Sequence, residues 1–552
     1  MRQNRLFARL LPLALLAAGP VAAQERPAAP PPPVGQPRLI VAVSVDQFSA
    51  DLFAEYRDKF TGGLRRLIDS SALFPSGYQS HAATETCPGH STILTGSRPS
   101  RTGIVANNWI DLKAAREDKS IYCAEDESVA GSNSRDYTAS PVHLKVPTLG
   151  DRLKTAGGGS RVVAVAGKDR AALMMGGHDT DVALWWNNDR FATLKGRELP
   201  AAAQRTNAAI ARRLAEARPA LELPPVCQAR ARPVPIGAGK SVGSGAFARA
   251  AGDARGFRAS PEIDGATVAL AALLARDMKL GQGPGIDVLA VGLSATDYVG
   301  HTYGTGGAEM CLQMLALDRS LHDLLTGLDS LGVPYALVLT ADHGGLDLPE
   351  RARAAAVPGA ARSTADLSAN AVGKAIQAEL KLPRQALWGD SAFGDMWVDP
   401  GFTPRQKAAV IAAARKRYLG SPQVEGVFTA QEIAATPSPT SPPESWTTLQ
   451  RLRASYNPDR SGDLLVVLKP RITPIPDPTG GYVATHGSVW DYDRRVPILF
   501  WRPGQMPFEQ PMGVETVDIL PTLAALIGLP VPAAEIDGRC LDLDPGAAST
   551  CR

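Results

Sequence analysis

Short, nearly uninterrupted apolar runs punctuate the chain at Leu39–Val45, Val162–Ala166, 288–293, Tyr335–Thr340, Leu464–Leu468 and 498–501. Runs of this length, rich in branched side chains, predict core strands buried on both faces. Between them, apolar positions return at helical spacing over 267–278, 314–328 and 406–417. This alternation predicts an α/β fold with a central, largely parallel sheet flanked by helices. Two stretches interrupt it. Residues 185–260 mix many Arg, Ala and Gly, and 345–485 contain the proline-rich 434–445, so both are expected as inserted cap regions. Candidate ligand residues fall on both sides of the insertions. One catalytic domain over 38–552 is therefore the simpler expectation.

The amino terminus follows another pattern. Arg2, Arg5 and Arg9 precede the apolar run 10–18, and Val21-Ala22-Ala23 offers small residues for cleavage. Together they predict a signal peptide over 1–23. The run is too short for a membrane span. Residues 24–37 are proline-rich and read as an extended tether. Composition, at 44% apolar and 20% charged, is that of an ordinary globular chain. The formal charge of +3 resides in the three leader arginines, so the mature chain is close to neutral. That balance gives no support to nucleic acid or membrane as a partner. An exported monomer, periplasmic or secreted, is expected. Its six cysteines predict three disulfides, although sequence alone leaves fifteen connectivities. Sequential pairing is favoured: Cys87–Cys123, Cys227–Cys311 and Cys540–Cys551.

Chemistry concentrates where the apolar runs stop. Asp297 and His301 follow the 288–293 run at a spacing of one helical turn, which places both on one helix face. Asp342 and His343 follow Tyr335–Thr340, and the glycines behind them, Gly344 and Gly345, free the backbone of a strand-end loop. Carboxylates mixed with imidazoles suit Zn²⁺ or a similar divalent ion. Asp46 ends the first run and alone reads as a turn residue. His486, in a loop of small residues, is unremarkable alone. Thr86 precedes Pro88 at a predicted helix start, where free N–H groups favour an anion. A threonine hydroxyl is a poor nucleophile unless a metal or a base activates it. Lys168 and Arg170 follow Val162–Ala166 and could hold non-bridging phosphate oxygens, as could the Asn107 amide. His81, His90, His143, His178 and His322 have no equally persuasive ligand context.

These motifs resemble the alkaline phosphatase superfamily, and most of all its secreted, threonine-nucleophile alkaline phosphatases of the PhoK and PafA type. The pieces that carry the resemblance are Ser44-Val45-Asp46-Gln47, Thr86-Cys87-Pro88-Gly89-His90, Gly103 to Asn107, Gly167 to Arg170, Asp297 to His301, Ala341 to Gly344 and Thr485-His486-Gly487. The resemblance implies an alkaline phosphatase-like fold and two Zn²⁺ ions per chain. Asp297, His301 and His486 would hold one, and Asp46, Asp342, His343 and the Thr86 oxygen the other. It further implies that Thr86 attacks phosphorus to give a phosphothreonine, which water then hydrolyses. Asn107, Lys168 and Arg170 would bind the phosphoryl oxygens of small-molecule phosphate monoesters.

The strongest rival is a nucleotide pyrophosphatase or phosphodiesterase of the same superfamily, which would share the zinc set and Thr86 but lack Lys168 and Arg170. An arylsulfatase needs a residue between its nucleophile and proline, and here Cys87 adjoins Pro88. A phosphoglycerate mutase relative would use serine. A non-catalytic secreted zinc-binding protein is the least favoured reading, because every ligand and Thr86 are present.

Overall fold

The computed structural model describes residues 35–243, 246–546 and 549–551, so the expected signal peptide and most of the tether lie outside the described residues. Five apolar strands lie side by side and parallel in the middle of a ten-stranded sheet, in the order Tyr335–Thr340, Leu39–Val45, Asp287–Leu293, Val162–Ala166 and Val182–Asn187. Every residue of Leu39–Val45 and Asp287–Leu293 is buried, as strands covered by helices on both faces require. Arg495–Trp501 runs antiparallel beside Tyr335–Thr340 and pairs in turn with Ala72–Tyr78. The hairpin strand Arg190–Thr193 closes the opposite edge. The sheet is thus mixed but mostly parallel. One apolar layer, with Val41, Val43, Leu289, Val291 and Leu339, packs under the Pro261–Asp277 and Ala308–Asp329 helices. The other face, with Ile40, Ala42, Ala290 and Val338, carries the Thr86–Ile93 and Ile519–Leu526 helices.

Two sequence expectations need correction. The Leu464–Leu468 run is not a strand of the central sheet. It lies in a separate four-stranded antiparallel sheet with Leu387–Trp388, Gly394–Val398 and Val424–Thr429. Leu464, Val466 and Leu468 face one small core with Val410 and Tyr418, while Leu465 and Val467 face another with Ile433 and Leu452. Burial on both faces produced the same uninterrupted apolar run as a central strand. The 185–260 stretch is also less separate than expected. Trp186 and Phe191 of the sheet edge, Ile210 and Leu214 of the Ala201–Leu214 helix, and Phe257 all join the main core.

Cys87 pairs with Cys123, Cys227 with Cys311 and Cys540 with Cys551. Among the described residues no helix is long and apolar enough to cross a membrane.

Candidate active site

Four adjacent parallel strands deliver the candidate residues from one edge, because strands in register end at the same height. Val45 lies opposite Leu293, and Ser44 opposite Thr340. Asp46 therefore emerges between Asp342–His343 on one side and the Ala295–Tyr303 helix, carrying Asp297 and His301, on the other. Lys168 and Arg170 leave the next strand along, at the start of the Asp169–Gly176 helix. His486 arrives from a loop far along the chain, and Thr86 opens the Thr86–Ile93 helix.

The ligand-type side chains converge as two groups, Asp297 with His301 and His486, and Asp46 with Asp342 and His343. Within each group the ligand atoms lie within 4.8 Å of one another. His301 Nε2 and His486 Nε2 stand 3.2 and 3.3 Å from Asp297 Oδ1. His343 Nε2 stands 3.3 Å from Asp342 Oδ2 and 3.5 Å from Asp46 Oδ1. Ligand atoms bonded tetrahedrally to one zinc at about 2.0–2.2 Å would stand about 3.3 Å apart. The spacing fits an ion in each group.

The histidine tautomers agree with that fit. His301 Nδ1 lies 2.8 Å from the Ala484 carbonyl, His486 Nδ1 2.8 Å from that of Thr84, and His343 Nδ1 2.8 Å from that of Gly344. A carbonyl can only accept, so each Nδ1 carries the proton and each Nε2 is turned toward the site, where it would offer its lone pair to a bound ion. The buried Asp46 Oδ1, Asp297 Oδ1 and His343 Nε2 have no hydrogen-bond partner among the described residues. Polar atoms left this way at the centre of a fold need a cation.

Lys168 is the protein's own cation there. Its buried Nζ lies 2.6 Å from Asp46 Oδ2, 2.5 Å from Asp297 Oδ2 and 3.3 Å from Thr86 Oγ1. Burial opposes its charge, but Asp297 and Asp46 outweigh burial and raise its pKa. Burial likewise resists ionisation of Asp297, yet His301 and Lys168 hold its carboxyl well below the usual range. Asp46 is pushed up by burial and by Asp342 beside it. Burial lowers His343 to about 3, which keeps it neutral.

Around Thr86 the donors are set by neighbours. Arg170 Nη2 reaches Thr86 Oγ1 at 3.4 Å, and Arg170 Nη1 reaches the Tyr122 hydroxyl at 3.3 Å. The hydroxyls of Tyr122 and Tyr137 donate to the two oxygens of Asp169, at 2.8 and 2.7 Å. The Cys87–Cys123 disulfide ties the Tyr122 strand to the residue after Thr86. Asn107 Oδ1 accepts from the Cys87 N–H at 2.8 Å, which leaves the NH₂ end of its amide to the cavity it lines. That cavity, of about 620 Å³, is bounded by Asn107, Arg170, His301 and His486 on one side and by the small antiparallel sheet on the other.

Sequence reasoning passed over several residues found here. His90 Nδ1 lies 2.9 Å from the Thr86 carbonyl and 3.1 Å from Asp342 Oδ2, so it bridges the Thr86–Ile93 helix and the Asp342 loop. Its position four residues after Thr86 on a helix was the available signal. Tyr122, Tyr137 and Asp169 gave none, because their link to Arg170 exists only in three dimensions. Of the other histidines, His81 is buried, His143 packs on Trp109, His178 contacts Asp151, and His322 is exposed.

Residues 40–489 match the family described as type I phosphodiesterase/nucleotide pyrophosphatase, and the chain belongs to that family. It is 57% identical over 518 residues to alkaline phosphatase PhoK of Sphingomonas sp, covering 93% of this chain and 92% of that one. Alkaline phosphatase PhoD of Zymomonas mobilis is 49% identical over 519 residues, covering 93% and 89%. The crystal structure of wild-type alkaline phosphatase PafA matches with a TM-score of 0.78 and 25% identity, over 92% of this chain and 99% of that one. Within the alkaline phosphatase superfamily the chain is of the PhoK/PafA type.

Proposed function

We propose that this chain is an exported, zinc-dependent alkaline phosphatase that hydrolyses phosphate monoesters through a phosphothreonine at Thr86. The observation that carries the reading is the placement of Thr86 Oγ1 within 3.3–3.4 Å of both Lys168 and Arg170, beside two groups of metal-type ligands. The names of PhoK, PhoD and PafA support the same activity.

Asp297, His301 and His486 would hold one ion, and Asp46, Asp342 and His343, with the Thr86 oxygen, the other. Two such ions, when bound, would supply Lewis acidity at the entering and leaving oxygens. The Thr86 hydroxyl loses its proton to water and its Oγ1 attacks phosphorus. The bond to the leaving oxygen breaks, that oxygen takes a proton from water and departs as the alcohol, and the phosphoryl group passes to Thr86. Water then attacks the same phosphorus, the Thr86 ester bond breaks, and inorganic phosphate leaves. Lys168, Arg170 and the Asn107 amide bind the non-bridging oxygens throughout. A monoester dianion presents three such oxygens and a diester two, so a pair of cations beyond the ligand groups favours the monoester. Each charge-assisted hydrogen bond is worth about 1.5–3 kcal/mol, enough to decide between the two.

The family's description names phosphodiesterases, which makes the diester reading the one to test. Steady-state kinetics on matched aryl monoester and diester substrates, with metal analysis of the same sample, separate them. A higher kcat/KM for the monoester with two zinc ions per chain is expected. A diester preference would overturn the assignment.

A further inference from the structure

We propose that the cavity beside Thr86 is a leaving-group subsite selecting monoesters of aromatic, uncharged or cationic alcohols over polyanionic ones. The inference deepens the phosphatase reading above and rests on it. The cavity of about 620 Å³ is lined at one end by Asn107, Arg170, His301 and His486, and Arg170 there also reaches Thr86, so a phosphoryl group on Thr86 would fill only that end. Entering and leaving oxygens stand roughly in line across phosphorus, so the alcohol departs away from Thr86, into the remaining space.

Flat rings stand in that space. Tyr482 is 46% exposed, an unusual position for so large an apolar face, and its ring centroid lies 4.7 Å from that of His301. Phe393, at the edge of the small antiparallel sheet, leans on the loop behind His486, where a Cβ at Gly487 would meet its ring at 3.2 Å. Both rings line the one cavity, Tyr482 against His301 and Phe393 against the glycine that follows His486. Rings placed this way offer stacking faces to a planar leaving group.

Carboxylates outnumber cations on the same walls, which carry Arg170 at the phosphoryl end and Lys469. Glu85, Asp390 and Asp395 line the cavity. Asp395 accepts the Gly462 N–H at 2.6 Å, so it is held by a backbone amide rather than neutralised by a cation. Burial lifts Asp395 to about 7, so in the alkaline range it is ionised. A leaving group bearing further phosphates or carboxylates meets like charge there, whereas an aryl or amine-bearing alcohol does not.

The test uses full-length, metal-loaded enzyme and two probes, phenyl phosphate and fructose 1,6-bisphosphate, in the wild type, Phe393→Leu, Tyr482→Leu and Asp390→Asn/Asp395→Asn. Comparing the ratio of kcat/KM for the two probes cancels intrinsic reactivity and any general disturbance of His301 or His486. Each leucine substitution keeps bulk but removes the flat face, and is expected to lower the phenyl-to-bisphosphate ratio roughly 10-fold. The double asparagine variant is expected to lower the ratio by raising bisphosphate turnover severalfold. Ratios unchanged in all variants would overturn the subsite while leaving the phosphatase reading intact. No turnover of either probe by the wild type would overturn that reading and this inference together.

Discussion

Arg170 reaches Thr86 at the end of a chain of hydrogen bonds that begins two tyrosines away, with Tyr137 and Tyr122 both anchored on Asp169. Removing the guanidinium itself in Arg170→Ala deletes a charge-assisted contact worth about 1.5–3 kcal/mol, so monoester kcat/KM should fall roughly 10- to 100-fold. Tyr122→Phe keeps the ring and deletes one hydrogen bond on Arg170, worth about 1 kcal/mol, or roughly fivefold. Because Tyr122 acts through Arg170, its loss should fall on the monoester and spare the diester, and a uniform loss on both would mean a merely structural role. Of the candidate site residues, Asp297, His301, Asp342 and His343 were readable from their places just after apolar runs, whereas Asp46 alone read as a turn residue and Lys168 and Arg170 gained meaning only beside the others. Their division into two groups was not readable. That division came from the resemblance, and the geometry needed His486 and Thr86, whose positions depend on long-range folding.

At the scale of elements, the Thr86–Ile93 helix is held against the Asp342 loop by the absence of a side chain. A Cβ at Gly89 would lie 2.0 Å from the Asp342 carbonyl oxygen. Helix propensity favours alanine over glycine by about 1 kcal/mol. Overpacking against backbone costs about 1–3 kcal/mol. The clash should win. Gly89→Ala is expected to lower the melting temperature and to weaken metal retention, measured by dialysis followed by metal analysis. An unchanged or raised melting temperature would show that the helix can move away freely. The central strands were readable because burial on both faces writes a continuous apolar run. The same logic misplaced Leu464–Leu468, which is buried on both faces in a different sheet. Ala72–Tyr78 escaped notice because Pro75 and Gly77 interrupt it, and a strand beside Arg495–Trp501 and the sheet edge tolerates both.

Over the whole molecule, acid stability turns on buried histidines as well as on the site. Burial and Arg494 lower His81 to about 3. Its unfolded pKa is about 6.5. Below that value the unfolded chain binds a proton that the folded chain does not. His81 therefore costs stability progressively as pH falls from 6.5 toward 3, at up to about 1.4 kcal/mol per pH unit. Denaturant unfolding of the wild type and His81→Gln across this range should show the difference between them shift in favour of the variant at low pH. A constant difference would contradict it. The parallel sheet brings Asp46, Asp297 and Asp342 to one edge and buries them together, and only cations make that arrangement tenable. In the proposed mechanism Thr86 is the residue that turns such a centre into a phosphatase. Thr86→Ala, assayed on a phosphate monoester beside metal analysis of the same protein, tests this most directly. The account predicts that turnover is lost while zinc occupancy largely survives. Retained turnover in that variant would contradict it.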